Sequence, residues 1–455
     1  MNIFSFYSIL SRKYKYFFIF LIFCSLITVF LEVLSIALII PFMSVILSPE
    51  KIIPKINSLI LEWEIDFTQL DLTDLENAKY ILIICFFLVY LIKNCFILAT
   101  KYLELKFFKD VEKEISLKIL KRYFQQRYSF FIEKNSSVFI SRLTHDMVVL
   151  IASFVRPTIV ILTEVLILIS ISLIIIYLQL FQIFLIFASI FIIGIIILKL
   201  TTSNIKKLGH ERMIYDQKRL NSLKAFFKNA NIIILDQQFN SIKKYYREIV
   251  DKLTNFKKIS DFTLILPKYL FEVLGILAVC TIIIYLSINS YDTEYILSSV
   301  AFFLAVAYRF LPSIQKTIYS LQSLSYGRAS LKAILYDLQL ETKNVSLETN
   351  AILDFRNHFT LKDITFSYKD RNEKIFDKAN LKIKKGSSIG IFGNSGVGKS
   401  TLIDIVVCLK ELESGSIFVD DKDINNKQDE IRAWQNKISY ISQETFLFDD
   451  KIINN

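Results

Sequence analysis

The chain has 455 residues, of which 53% are hydrophobic and only 21% are charged, a composition that excludes a disordered or fibrous protein and is unusual for a soluble enzyme. Its net charge of +11 is compatible with nucleic-acid binding, but in such an apolar chain it favours the basic cytoplasmic loops of a membrane protein. The five cysteines are widely separated and match neither a metal site nor a disulfide framework.

The first apolar run extends from Tyr16 to about Leu47, and Glu32 is its only charged residue. Basic residues precede this run, as they do in a signal peptide, but the run is too long and lacks a small-residue cleavage site. We therefore predict a retained membrane-spanning helix. The acidic stretch Pro49–Lys79 follows, and the pattern of Ile56–Glu64 within it predicts a short surface helix.

Further apolar runs alternate with long polar segments, which gives about six predicted spans in all. The later spans are Tyr80–Thr100, two within Val148–Leu200, Phe262–Ile288, and Tyr295 to about Leu324. Two long segments between spans have helical patterns and an excess of basic residues, namely Lys101 to about Met147 and Thr201–Asp261. For the first of these segments a nucleic-acid surface is one interpretation, and a solvated helix face with i,i+4 ion pairs is the favoured one.

The charges of the loops predict the orientation of the spans. Because basic loops remain on the cytoplasmic side, the N-terminus, both basic segments and the C-terminal region are expected in the cytoplasm. The acidic stretch Pro49–Lys79 is then expected outside. Residues 1–330 would form a multi-pass α-helical membrane domain.

A polar stretch from Ser325 to about Glu348 predicts a linker, which we place at residues 331–351, and the soluble part begins near Ile352. Alternation of apolar and polar residues predicts several strands in this part. They are Phe359–Tyr368, Ala379–Lys384, Gly415–Asp421 and Ile438–Gln443.

One stretch of the soluble part fits G-x-x-x-x-G-K-[ST], the pattern of a phosphate-binding loop. This loop and the residue after it are Gly393, Asn394, Ser395, Gly396, Val397, Gly398, Lys399, Ser400 and Thr401. Ser388–Phe392 before it predicts a buried strand, and Ser400–Cys408 predicts a helix. We expect backbone N–H groups to surround a nucleotide's β-phosphate, Lys399 to reach its β- and γ-phosphates, and Ser400 to ligate Mg²⁺. A strand–helix turn that fits the pattern by chance is the alternative.

A second candidate stretch, Ile232–Asp236, is similar to a Walker B strand, whose aspartate holds Mg²⁺. It precedes the phosphate-binding loop, lies in a helical pattern and is followed by Gln237 where a catalytic glutamate would be needed. We therefore assign it no function.

The order of these parts resembles an ABC exporter half-transporter over essentially the whole chain. The resemblance implies that Tyr368 stacks on the adenine of ATP, and that Gln443 is the Q-loop glutamine that contacts Mg²⁺ and relays nucleotide state to the membrane helices. Within this family, Leu31–Phe42 and Tyr308–Ile314 are similar to polysaccharide-related lipid flippases, particularly those for lipid-linked oligosaccharides.

The chain also departs from the family pattern. It contains no Leu-Ser-Gly-Gly-Gln signature loop, and neither a Walker B strand with its glutamate nor a switch histidine follows Gln443. We therefore expect residues 352–455 to be the N-terminal part of an α/β P-loop nucleotide-binding domain that is incomplete. The chain should contain no catalytic residue, bind ATP weakly and not hydrolyse it.

These features predict a subunit of an ATP-driven exporter or lipid flippase in the bacterial inner membrane, with both termini cytoplasmic. By the resemblance it would act as a homodimer on an amphipathic or lipid-linked substrate, among membrane lipids and without nucleic acid. A membrane protein whose ATP domain only gates or senses, and an inert truncated product, are the alternatives. Arg309 in the sixth span is a candidate contact for an anionic headgroup, and an internal ion pair with Glu32, Glu164 or Glu272 is its alternative role.

Overall fold

The computed structural model describes residues 7, 10–38, 75–177, 181–289, 293–341, 351–368, 373–425, 427–441 and 449–454. The chain divides into two compact units. The first unit comprises residues 1–119 and 137–337, and the second comprises residues 120–136 and 338–455. The predicted surface helix at Ile56–Glu64 lies outside the described residues.

The first unit is helical throughout its described part. Its helices are α1 (Arg12–Ala37), α2 (Leu75–Phe124, whose last residues belong to the second unit), α4 (Ser136–Ser141), α5 (Met147–Leu150), α6 (Arg156–Tyr177), α7 (Phe181–Lys228), α8 (Ala230–Leu235), α9 (Phe239–Ile288) and α10 (Thr293–Leu338). Two π-helical segments, Arg142–Asp146 and Ile151–Val155, flank α5. The long apolar runs therefore continue without interruption into the basic helical segments, as the sequence predicts.

Five of the described helices are long and apolar enough to cross a membrane. These candidate spans are Arg12–Ser35, Ile83–Phe124, Ser136–Tyr177, Ile183–Lys228 and Phe239–Ile288. The sixth predicted span lies in α10, which is not one of these five, so the number six stays a prediction. The composition and length of the helices support a multi-pass membrane protein.

An apolar core joins the long helices of the first unit. Phe187 of α7 is 1% exposed, and its ring centroid lies 5.2 Å from that of Phe303 and 4.4 Å from that of Phe310, both in α10. Phe271 of α9 and Ile167 of α6 are buried in the same cluster. Burial of such side chains provides much of the packing between these helices.

A network of buried charges lies among the cytoplasmic extensions predicted for the helices of this unit. Asp146, which is 1% exposed, lies 2.5 Å from Arg142 and 3.3 Å from Arg212, and it accepts a hydrogen bond from Ser330. The other members of the network are Asp216 and Arg219 of α7 and Asp337 of α10. Three arginines thus face three aspartates, and the cluster is neutral.

The second unit contains one four-stranded sheet in its described part. The strands are β1 (His358–Ser367), β2 (Lys374–Lys384), β3 (Ser414–Val419) and β4 (Lys422–Asp423), and all neighbouring pairs are antiparallel in the order β2-β1-β3-β4. The helices are α3 (Tyr128–Glu133), α11 (Lys399–Val406) and α12 (Gln428–Gln435). A helical membrane region followed by an α/β domain confirms the predicted fold class.

Trp434 of α12 holds the helical layer against the sheet. Its ring stacks on that of Phe359 with centroids 5.0 Å apart, and its indole N–H donates to the carbonyl of Val406 at the end of α11. At the end of β3, Asp420 accepts backbone hydrogen bonds from residues 356–358. The N–H groups of Arg356 and then of His358 are the main cause of the lowered pKa of Asp420.

Two predicted strands are wrong. Ser388–Phe392 forms no strand, and Ile389, Ile391 and Phe392 are 48%, 41% and 94% exposed. The described part of the predicted strand Ile438–Gln443 also has no regular structure. An apolar segment becomes a buried strand only where neighbouring strands pair with it, and the described residues of this unit place none beside these two segments. The predictions for β1, β2 and β3 are confirmed, with ends shifted by a few residues.

The polar stretch predicted as a linker is partly helical. Helix α10 continues to Leu338, through the first residues of the segment placed at 331–351. Residues 342–350 lie outside the described part of the chain. The part of this stretch up to Leu338 therefore belongs to the last turns of a long helix.

Candidate functional site

The phosphate-binding loop has the backbone conformation that its glycines permit. Gly393, Gly396 and Gly398 have φ angles of +156°, +84° and +107°. At Gly398 an added Cβ would lie 2.6 Å from a methyl carbon of Ile375, so both the conformation and the space require glycine there. Helix α11 begins immediately afterwards, at Lys399. The predicted loop and helix are therefore present, whereas the predicted strand before them is not.

Lys399 closes the loop on itself. Its Nζ atom donates hydrogen bonds to the carbonyl oxygens of Gly393 at 2.7 Å and Asn394 at 2.8 Å. This places an ammonium group across the mouth of the loop, beside the N-terminus of α11, whose dipole favours anions. The arrangement fits a nucleotide phosphate.

The structure describes only some of the residues predicted to bind Mg²⁺ and the nucleotide. Ser400 is exposed in the first turn of α11, where a hydroxyl can ligate Mg²⁺ that is bound to phosphates. Thr401, by contrast, is 5% exposed, and its hydroxyl lies 3.1 Å from that of Tyr368. Gln443 lies outside the described residues. Among the described residues, Ser400 is therefore the one predicted ligand that fits Mg²⁺ bound to ATP.

Tyr368 directly follows β1 and lies beside α11, as expected for an aromatic residue of the nucleotide site. Burial alone would raise the pKa of its hydroxyl. Hydrogen bonds from Lys410 and with Thr401, together with the charge of Lys410, outweigh burial, and the pKa of Tyr368 is lowered. The structure thus brings the aromatic residue and the loop together, although they are far apart in the sequence.

Arg309 is surrounded by charges in the first unit. Its Nε atom lies 2.8 Å from a carboxylate oxygen of Glu32, and its Nη1 atom lies 3.6 Å from one of Glu164. Lys316 lies 3.0 Å from Glu164, and Lys93 lies 4.0 Å from Glu32. This charged cluster of Arg309, Lys316, Lys93, Glu32 and Glu164 has three cations and two anions.

Sequence reasoning missed several of these partners. Lys316 follows Arg309 by seven residues, so that both lie on one face of α10, and this spacing could have revealed it. Lys410 has no such signal, because its contact with Tyr368 depends on the fold of the second unit. The ion pair between Glu411 and Arg127 is equally unpredictable, since 284 residues separate the partners. Ile232–Asp236 is helical in α8 and its cap, which agrees with rejecting it as a Walker B strand.

Comparison with known proteins finds a matching family for part of the second unit. Residues 376–455, which include the whole phosphate-binding loop, match the ABC transporter family. An ABC transporter domain implies ATP binding, and together with the five apolar helices it confirms the predicted resemblance to ABC exporter half-transporters.

Curated relatives confirm the resemblance to lipid flippases. The ATP-dependent lipid A-core flippase of Wigglesworthia glossinidia brevipalpis is 36% identical over 100 residues, which are 22% of this chain and 17% of the relative. The flippases of the same name from Blochmanniella pennsylvanica and Desulfotalea psychrophila are 30% and 32% identical, over 28% and 29% of this chain. The matched segments span 22% and 23% of these two relatives, so about a fifth of each relative's length is covered.

Proposed function

We propose that the chain is a subunit of an ATP-driven exporter that moves an anionic amphipathic lipid or lipid-linked glycan across the membrane. The single observation that carries this proposal is the charged cluster around Arg309, in a chain whose residues 376–455 match the ABC transporter family. The segment that matches the ABC transporter family would bind the nucleotide, and the charged cluster would bind the substrate.

The nucleotide half of the proposal rests on the loop. Lys399 and the N–H groups at the start of α11 would hold the phosphates, Ser400 would ligate Mg²⁺, and Tyr368 would stack on the base. Bound Mg²⁺ would neutralise phosphate charge. Binding of ATP would favour whichever conformation makes more contacts with its γ-phosphate, and this difference in contacts is the source of work.

The substrate half rests on charge. Charged side chains are costly inside a membrane and mark functional sites by default. In this charged cluster the cations exceed the anions by one, and the Nε atom of Arg309 makes its ion pair with Glu32 without a directed hydrogen bond. A phosphate or pyrophosphate headgroup would supply the missing negative charge, and arginine binds such groups through two donors. Ion pairing within the protein and headgroup binding are thus compatible.

Headgroup binding is tested on the full chain in detergent by native mass spectrometry. The probes are a dialkyl pyrophosphate and a phosphocholine lipid of the same chain length. The wild-type chain should prefer the pyrophosphate roughly ten-fold, since hydrogen bonds between charged groups are the strong ones. Arg309→Gln should lose the preference, and Lys268→Gln, which removes an exposed cation of α9, should keep it. Equal binding of both lipids by the wild-type chain would refute the substrate half.

Transport itself requires groups that the 455 residues lack. By the resemblance to half-transporters, a second subunit would place a signature loop over the γ-phosphate, and the 455 residues contain no such loop. We propose to join the chain to a segment that carries a signature loop and a Walker B carboxylate, and to reconstitute the product in vesicles. ATP-dependent movement of a fluorescent anionic lipid supports an exporter, whereas ATP binding without movement supports the alternative of a gating or sensing protein.

A further inference from the structure

Lys410 lies against the aromatic ring of the candidate nucleotide site. Its Nζ atom is 4.1 Å from the ring centroid of Tyr368 and donates a 2.5 Å hydrogen bond to the hydroxyl oxygen of the same residue. Its other neighbours are Asp404, at 3.6 Å from the carboxylate, and the ring of Phe366, at 5.5 Å from the centroid. The side chain of Lys410 thus directs its cation towards Tyr368 rather than to solvent.

The burial of this lysine requires compensation. Its side chain is 8% exposed, and a lysine is almost never buried without partners, because its ammonium group loses hydration. Here Asp404 supplies a negative charge, and the faces of the two rings supply cation–π attraction. A lysine that served only solubility would instead extend into water.

Tyr368 is held at its hydroxyl end from two sides. Lys410 donates to the hydroxyl, and Thr401 of α11 lies 3.1 Å from it. Phe366 contacts the ring edge-on, with an interplanar angle of 82°. A ring fixed in this way loses little further freedom when a base stacks on it, so the entropic cost of binding falls.

The position of the cation fixes the hydroxyl end of the ring. With its hydroxyl held by Lys410 and Thr401, the ring keeps one orientation towards a planar base. We propose that Lys410 is a positioning residue of the nucleotide site, which holds the ring of Tyr368 in the orientation that stacks on a purine base. This inference rests on the proposed function, because it assumes that the loop of residues 393–400 binds ATP.

Two ligands separate the base from the phosphates in the test. Binding of ATP and of inorganic tripolyphosphate to the full chain in nanodiscs is measured by isothermal titration calorimetry. Lys410→Met should weaken ATP binding about five-fold, since one hydrogen bond and one cation–π contact are lost, and should leave tripolyphosphate binding unchanged. Lys410→Arg, which keeps both contacts, should restore ATP binding. Lys437→Met, which changes an exposed lysine of the same unit, is the matched control.

A double variant shows whether Lys410 acts through the ring. In a Tyr368→Ala background, Lys410→Met should cause no further loss of ATP affinity, because the ring that it positions is absent. A second readout is the titration of 3-fluorotyrosine placed at position 368, followed by ¹⁹F NMR. Lys410→Met should raise the pKa of this group, because a donor and a positive charge are removed.

The outcomes distinguish this inference from the function on which it rests. If the Lys399→Ala variant binds both ligands as tightly as the wild-type chain does, the loop is not a phosphate site. The proposed function then fails together with the inference. If Lys399→Ala weakens both ligands but Lys410→Met leaves ATP affinity unchanged, only the role of Lys410 is refuted. Equal weakening of ATP and tripolyphosphate by Lys410→Met also refutes it, since that result indicates a general disturbance of the loop.

Discussion

Asp146 is a buried carboxylate of the first unit with two arginine partners. It contacts Arg142 and Arg212 at once and accepts a hydrogen bond from Ser330, and it is almost inaccessible to solvent. The change Asp146→Asn keeps the size and shape of the side chain, removes its charge and replaces one acceptor oxygen by an NH₂ donor. The neutral network of three arginines and three aspartates would then carry one uncompensated positive charge.

The size of the effect follows from the partners that remain. Removing one member of a buried ion pair costs about 3–5 kcal/mol when its partner is left alone. Here Arg212 keeps Asp216 at 3.1 Å, and Arg142 keeps Asp337 at 3.1 Å. We therefore expect the lower end, about 3 kcal/mol, for Asp146→Asn.

Thermal unfolding of the purified chain in detergent measures this loss. The midpoint should fall by roughly 5 °C for Asp146→Asn, and it should not change for Asp236→Asn, whose side chain is exposed. The double variant Asp146→Asn with Arg212→Gln should recover part of the loss, because the charge balance returns. An Asp146→Asn midpoint equal to that of the wild type would show that the network's charges are compensated in another way, and the reasoning would be refuted.

Three further predictions concern acid stability, the loop and the topology. Because the pKa of Asp420 is lowered in the folded state, its stabilising effect is present above the unfolded pKa, near 4, and is lost as pH falls through the lower folded value. Asp420→Asn should therefore remove part of the acid transition in fluorescence titrations, whereas Asp421→Asn should not. Gly398→Ala should weaken ATP binding roughly ten-fold in calorimetry, since φ is +107° there, and unchanged affinity would contradict the strain argument. In a cysteine-free background, a membrane-impermeant maleimide applied from outside should label Ser58→Cys but not the exposed position Ala225→Cys, and the reverse would overturn the orientation.

The long helices and the phosphate-binding loop were the most predictable features. An apolar run of about twenty residues has few stable conformations other than a helix, so its length and composition suffice. The glycines of residues 393–398 predict a backbone that only glycine adopts easily, and the observed φ angles agree. Both predictions depend on local sequence alone.

Features that depend on distant neighbours were less predictable. Ser388–Phe392 has the composition of a buried strand, but a strand needs partners, and its described surroundings provide none. Three glutamates were possible partners of Arg309, and spacing could not choose among them. The structure pairs the arginine with Glu32 and Glu164, which are held close by the packing of α1, α6 and α10.

Lys410 shows the same limit at the nucleotide site. Its position 42 residues from Tyr368 carries no periodic signal, and a lysine near the end of a short helix is ordinarily solvated. Only the antiparallel pairing of β1 with β3, which brings the end of β1 beside the segment after α11, places the two side chains together. Such contacts follow from the fold of the sheet and not from any local pattern.

Binding and hydrolysis of ATP, measured on the same nanodisc sample, test the central claim most directly. The account predicts ATP binding that Lys399→Ala abolishes, together with no phosphate release above that of the Lys399→Ala variant, because the 455 residues contain neither a signature loop nor a Walker B carboxylate after the phosphate-binding loop. ATP binding that does not depend on Lys399 would contradict the assignment of the loop. Steady phosphate release that depends on Lys399 would show that the absent groups are not required.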